Sequence, residues 1–247
     1  MKNGFSGGQR ARMPWIERYV KTVLEALYPT QCVSCNALAD AGICAACNRS
    51  LLRVENPCPQ CGASIGYSGG NQVCGRCRRR PPAYDLTVTP FLYAPPLSSL
   101  VHQFKYRGKI GNARPLAKIF CREFTTRYFP LPQLLVPVPL HWTRLIRRGF
   151  NQSAELCRHL SAELSIPFDR STVYRTRKTL PQVELPLNQR RWNVRGCFEL
   201  RRPLPVESIA IVDDVITSGE TMHQIASMLK NHGVTAVQAW AILRTDV

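Results

Sequence analysis

Ser208-Ile-Ala-Ile-Val212, followed by Asp213-Asp214 and then by Val215-Ile216-Thr217-Ser218-Gly219-Glu220-Thr221, is the stretch that decides how the C-terminal half of this chain folds. The apolar run has the length of a buried strand, and the residues from Glu220 onward take up helical spacing. Two acids therefore stand at the carboxyl end of a strand, just ahead of a loop that opens a helix. Ligands of open α/β sheets sit at that end of the strands. Paired carboxylates there can accept hydrogen bonds from the vicinal hydroxyls of a ribose. The loop adds backbone N–H groups and the hydroxyls of Thr217, Ser218 and Thr221. Gly219 permits close backbone approach, and a helix N-terminus favours an anion. The stretch reads as a place for a phosphorylated sugar.

Outward from this point, strands alternate with helices. The pattern predicts strands over Thr87–Tyr93, Leu134–Leu140, Ser208–Val212 and Ala236–Leu243. It predicts helices over Leu97–Phe104, Asn112–Tyr128, Gln152–Leu164 and Glu220–His232. Such alternation argues for an α/β fold with a parallel sheet. The Arg-rich stretch from Pro167 to Arg202 has little periodicity and reads as a flap over the sheet edge. The expected organisation is a tail and amphipathic helix over residues 1–30, a cysteine-rich unit over 31–82, and the α/β unit over 83–247. Arg78 to Pro82 reads as the linker. Residues 1–13 read as disordered, and Pro14–Tyr28 as a short amphipathic helix docked on the protein's own body.

Eight of the 11 cysteines form four CxxC pairs, Cys32/Cys35, Cys44/Cys47, Cys58/Cys61 and Cys74/Cys77. One CxxC turn brings two thiolates to a metal, and two turns complete a tetrahedral Cys₄ site. Eight ligands predict two structural zinc ions. The sequential grouping is the simplest, and a crossed one stays open. Disulfides would need an oxidising compartment, for which the sequence carries no signal. Cys121, Cys157 and Cys197 stand apart and read as small buried residues.

The formal net charge is +17. The excess is concentrated between Val101 and Arg202, with 20 Lys and Arg against 6 Asp and Glu. This balance favours a polyanionic partner, either a nucleic acid or a phosphorylated small molecule. Tyr106, Trp142, Phe150 and Trp192 lie among these cations and are candidates for stacking the bases of single-stranded DNA, with core packing the stronger expectation for Phe150. Lys105 and Lys109, in Lys105-Tyr-Arg-Gly-Lys109, are candidates for reaching a phosphate. No apolar run of about 18 residues predicts a membrane span, and no apolar core follows the charged N-terminus as in a secretory signal. The chain reads as cytoplasmic.

The Ile209–Thr221 string resembles the motif with which type I phosphoribosyltransferases bind phosphoribosyl pyrophosphate (PRPP). Val136-Pro-Val-Pro-Leu140, Arg144 and Arg147-Arg-Gly-Phe-Asn-Gln152 resemble the signature of the ComF/GntX family, which joins a double zinc ribbon to a phosphoribosyltransferase domain. Tyr93-Ala-Pro-Pro-Leu97, Gln103-Phe-Lys-Tyr106 and the Arg175…Gln182…Arg191-Trp-Asn193…Phe198 spacing resemble it too, over roughly residues 30–244. The order and cysteine spacing look most like the enterobacterial GntX-type members.

The resemblance implies a parallel-sheet type I phosphoribosyltransferase fold preceded by a small double zinc ribbon. It implies PRPP with Mg²⁺ as ligand. Asp213 and Asp214 would hold the ribose, and Thr217, Ser218, Gly219, Glu220, Thr221, Lys105, Arg144, Arg147 and Arg148 would bind the rest. It also implies a role in competence or in use of external DNA as a nutrient, with single-stranded DNA and proteins of DNA uptake as partners. One departure stands out. Where enzymes of this fold have a small-residue turn for pyrophosphate, this chain has Leu140-His141-Trp142-Thr143-Arg144. Two functions follow: a PRPP-binding DNA-utilisation protein, or an active phosphoribosyltransferase with an unidentified acceptor.

Overall fold

The computed structural model describes residues 31–39, 42–66, 72–125, 130–177 and 193–245. The segments expected as tail and N-terminal helix, and Gln182, Arg191 and Trp192, lie outside them.

Four parallel strand positions form the sheet. In chain order the elements are two short helices, α1 (Ala45–Arg49) and α2 (Gly75–Arg79), strands β1 (Leu86–Val88) and β2 (Phe91–Leu92), and α3 (Leu97–Tyr106). Then come α4 (Ala113–Thr125), β3 (Leu134–Pro137), α5 (Trp142–Arg148) and α6 (Gln152–Leu164). A hairpin of β4 (Val173–Arg175) and β5 (Phe198–Leu200) precedes β6 (Ser208–Ile216), α7 (Glu220–Asn231) and β7 (Ala236–Arg244). The sheet runs β1, β7, β6, β3, with every pairing parallel. The expected strand over Thr87–Tyr93 is broken at Thr89-Pro90, and its second piece, β2, returns to the same neighbour β7. Proline supplies no ladder N–H, which accounts for the break. Beyond β3 the chain entering the Pro167–Arg202 stretch adds a parallel bridge, Leu135 to Phe168. The excursion expected there is in part the antiparallel β4–β5 hairpin.

Side-chain alternation along β6 explains why its apolar run is continuous. Ile209 and Ile211 enter one core, with Ile225, Leu229 and Val194. Ala210 and Val212 enter the other, with Phe104, Leu116, Phe120, Leu156 and Trp240. Thus α3, α4 and α6 cover one face, and α7 with the hairpin covers the other. Unlike the expectation, β6 continues through Ile216, so both acids lie within the strand rather than after it. Helix α5 is not expected from periodicity: it is one two-turn segment, capped by the His141 side chain and ended by Gly149 at φ 81°.

The cysteine-rich unit is built into this body. Cys32, Ala39, Ile43 and Leu51 belong to the α3/α4/α6 core. Arg53 bridges to Phe91 in the backbone and pairs with Glu123 of α4 at 2.7 Å. The CxxC turn from Cys58 to Cys61 lies on β1: Thr87 N–H donates to Pro59 O at 3.0 Å. Gly62 sits there at φ +70°, and a Cβ on it would come within 2.4 Å of the Thr89 methyl and 2.8 Å of the Thr87 methyl. Gly62→Ala is therefore expected to cost about 2–3 kcal/mol, from the left-handed backbone and from overpacking against a strand. Urea denaturation of the zinc-loaded chain checks this, and an unchanged midpoint would contradict the docking described.

Candidate functional site

The two acids in the last part of β6 form a buried charge cluster with Lys105 of α3. Asp214 is buried, 1% exposed, and its Oδ1 accepts from Lys105 Nζ at 2.9 Å. Its Oδ2 is buried with no hydrogen-bond partner. Asp213 Oδ1 accepts from Ser153 Oγ at 2.8 Å and from the Asp214 N–H at 2.9 Å. Burial, and next to it the charge of Asp214, pushes the Asp213 carboxyl up to about 7, against the opposing pull of Lys105. Burial works against charge on Lys105, but Asp214 and then Asp213 outweigh it and raise the ammonium's pKa. Lys105 reaches the pair because it closes α3, one turn beyond the buried Val101.

After β6 the chain turns through Thr217 and Ser218 to Gly219, at φ 77° and ψ 2°, which caps α7. Glu220, in the first turn of α7, accepts from Gln224 Nε2 at 3.1 Å and lies 3.9 Å from Arg80. Thr221 follows it on the same helix. Arg144, Arg147 and Arg148 all stand on α5. Arg148 lies over the Tyr106 ring at 5.5 Å, so it faces the end of α3. Trp142 is 63% exposed at the start of α5, whereas Phe150 is buried against Phe104, as expected of it.

Several residues of this region are invisible to pattern reading. Ser153 is one serine in an amphipathic helix. Arg175, on β4, is driven down to about 10 by burial and then by the nearby charge of Arg144, while Cys197 and Asp213 oppose the shift. A guanidinium stays charged at any neutral pH, so Arg144 and Arg175 concentrate positive field beside Asp213. Arg175 does stand in the spacing quoted above for the family resemblance, which gave it no role of its own. Tyr84 and Arg76 reach the loop at Ser218–Gly219 from the cysteine-rich side.

The cysteines resolve the grouping left open above. Cys32, Cys35, Cys44 and Cys47 form one cluster and Cys58, Cys61, Cys74 and Cys77 the other, with the sulfur atoms of each within 4.8 Å of one another. Sulfurs of Cys35 and Cys44, and of Cys61 and Cys74, lie 3.7 Å apart. A disulfide requires about 2.05 Å. A tetrahedron of Zn–S bonds near 2.3 Å has edges of about 3.8 Å. The donor set therefore fits a structural, coordinatively full zinc ion in each cluster. Burial pushes the Cys61 thiol up, and the charge of buried Arg244 opposes that shift.

This is a phosphoribosyltransferase-type fold carrying two Cys₄ clusters. Comparison with known proteins agrees: residues 23–78 match the double zinc ribbon domain and residues 145–245 the phosphoribosyl transferase domain. The chain is 40% identical over 213 residues to the DNA utilization protein YhgH of Escherichia coli strain K12, covering 85% of this chain and 93% of that protein. It is 33% identical over 224 residues to competence protein F of Haemophilus influenzae, covering 87% and 96%. Competence protein ComFC of Bacillus subtilis is 24% identical over 216 residues, covering 83% and 85%. The chain belongs to the ComF/GntX family of competence and DNA utilization proteins. No helix among the described residues is long and apolar enough to cross a membrane.

Two outcomes follow from the carboxylate pair. Between the ordinary carboxylate range and about 7 the folded chain holds a proton on Asp213 that the unfolded chain has released. Stability contributed by this group therefore falls as pH rises through that window. Asp213→Asn should flatten the dependence in thermal melts taken from pH 4 to 8. Lys105→Met strands a buried carboxylate and should cost about 2–4 kcal/mol at pH 8, somewhat under the range for fully buried pairs because part of Lys105 meets solvent. The loss should shrink at pH 5, where Asp213 holds its proton.

Proposed function

We propose that this protein binds PRPP at the Asp213–Thr221 site, with Mg²⁺, and handles single-stranded DNA during competence or use of external DNA. The observation that carries the ligand reading is the Asp214 Oδ2, buried at the strand end without a partner. A ribose hydroxyl supplies the missing donor, and Asp213 offers a second acceptor beside it. The turn from Thr217 to Thr221 and the start of α7 suit a phosphate. Hard carboxylate oxygens suit Mg²⁺, whose chemistry when bound would be to screen pyrophosphate charge. Arg144, with Arg175 in its field, suits the diphosphate arm. The names of the relatives support the DNA reading.

The surface supports it also. Trp142 and Tyr106 are exposed at 63% and 58%. Arg148 lies over Tyr106, whose ring stands 4.8 Å from that of His102. Flat rings interleaved with arginines are what stacks and tracks a single strand. For transfer chemistry the region after β3 is poorly suited. The Thr143 N–H is taken by His141 Nδ1 at 3.3 Å, where a backbone cradle would offer it to pyrophosphate. Binding without turnover is the reading this favours.

Calorimetry with PRPP and Mg²⁺ tests the ligand. Asp214→Asn should weaken binding by about 1–3 kcal/mol, as for a charge-assisted hydrogen bond. Unaltered affinity would displace the site. Pyrophosphate release from PRPP on adding candidate bases would establish the transferase instead. For DNA, Arg147→Ala with Arg148→Ala should flatten the slope of log K against log salt by roughly 1–1.5. Trp142→Ala should lower affinity at nearly constant slope. Affinity at physiological salt no better than about 10⁻⁴ M would remove DNA from the function.

A further inference from the structure

The loop at Ser218–Gly219 contains a peptide unit that its own chain does little to hold. Gly219 has φ 77° and no side chain with which to cap α7, where the Ser218 Oγ accepts from the Glu220 N–H only at 3.5 Å. Glycine occupies positive and negative φ about equally well, so the Ser218–Gly219 peptide can turn over at small local cost. A cavity of about 220 Å³ beside it, between the second ribbon and the loop, gives the swinging atoms room.

What holds the peptide comes from the ribbon. Arg76 Nη2 donates to Ser218 O. Tyr84 closes the other approach: a Cβ on Gly219 would meet its hydroxyl oxygen at 2.6 Å. Two further contacts brace the helix behind, the Ala83 N–H to His223 Nδ1 at 2.9 Å and Arg80 to Glu220 at 3.9 Å. In a trans peptide C=O and N–H point opposite ways. With the carbonyl turned to Arg76, the Gly219 N–H is turned away from the ribbon. Arg76 itself stands between Cys74 and Cys77 on α2, so the second Cys₄ cluster sets its position.

We propose that Arg76 is a positioning residue of the phosphoribosyl site: it latches the Ser218–Gly219 peptide so that the Gly219 N–H is presented to the ligand's phosphate. The proposal rests on the reading of this loop as the phosphate site. It makes the second ribbon part of the binding machinery, acting through one hydrogen bond to the loop's back.

The test uses the full, zinc-loaded chain and its Arg76→Ala, Arg76→Lys and Arg79→Ala variants. Arg79 lies on the same short helix and its loss removes the same charge. Two readouts are taken: the Gly219 amide shift and hydrogen exchange by NMR without ligand, and calorimetric affinity for PRPP and for inorganic phosphate. Arg76→Ala should keep two zinc ions, move the Gly219 amide resonance, speed its exchange and weaken PRPP about tenfold. Arg76→Lys should recover part of each effect, and Arg79→Ala should match the parent chain. An unmoved Gly219 amide with PRPP affinity within twofold would overturn the proposal. So would loss of zinc from Arg76→Ala, which would assign the residue to ribbon folding, or equal weakening by Arg79→Ala, which would assign the effect to charge alone. If the parent chain binds neither PRPP nor phosphate, the phosphate reading of the loop fails, and the ligand-free amide measurement still decides whether Arg76 holds the peptide.

Discussion

Two carboxylates on adjacent residues at the end of a buried strand repel each other and resist leaving water. The chain keeps them there by three means. Lys105 is brought from the end of α3 to 2.9 Å from Asp214. Ser153, in the first turn of α6, donates to Asp213. Asp213 retains its proton well above the usual carboxylate range. Each means depends on packing elsewhere: α3 and α6 must both lie on the same face of β6, and that face is the larger apolar core. The arrangement is therefore a constraint on the whole α/β body. Removing water from paired acids is costly.

The ribbons answer a second physical need. A cysteine-rich segment of this length has few large apolar side chains and gains its order from metal. Here it also shares in the main core through Ile43 and Leu51. Its second half lies on β1 and contacts the loop after β6. The segment from Arg78 to Pro82, expected as a linker, instead carries the end of α2 and lines the cavity beside Gly219. Contacts run across it on both sides, so the chain from Arg76 to Tyr84 behaves as a strut.

Much of this is legible in the order of the amino acids. β6, α6 and α7 follow from apolar periodicity, and the four CxxC pairs from spacing, because both signals are local; which pairs share a cluster is decided only by the fold. The strand ends are less legible. Thr89-Pro90 interrupts a run that reads as one strand, and Asp213-Asp214 continues one that reads as finished; in each case partner strands decide. Helix α5 is two turns long, too short for periodicity to register, and its boundaries rest on the side chain of His141 and on Gly149. Asp213 and Asp214 are legible because of the whole Ile209–Thr221 pattern around them, since a bare pair of acids after a strand is a weak signal. Ser153, Tyr84 and Arg76 are not, because their roles come from neighbours 60 or more positions away.

Gly42 shows what this integration means for descent. It has φ +81°, and a Cβ on it would come within 2.6 Å of Pro115 Cβ on α4. A lineage that acquires a side chain at position 42 must also reshape position 115, and the same reciprocity ties Gly62 to Thr87 and Thr89. A ribbon exchanged by recombination between distant relatives would arrive with the wrong halves of these pairs. Ribbons and α/β body thus constrain each other's side chains at Gly42, Gly62, Thr87, Thr89 and Pro115.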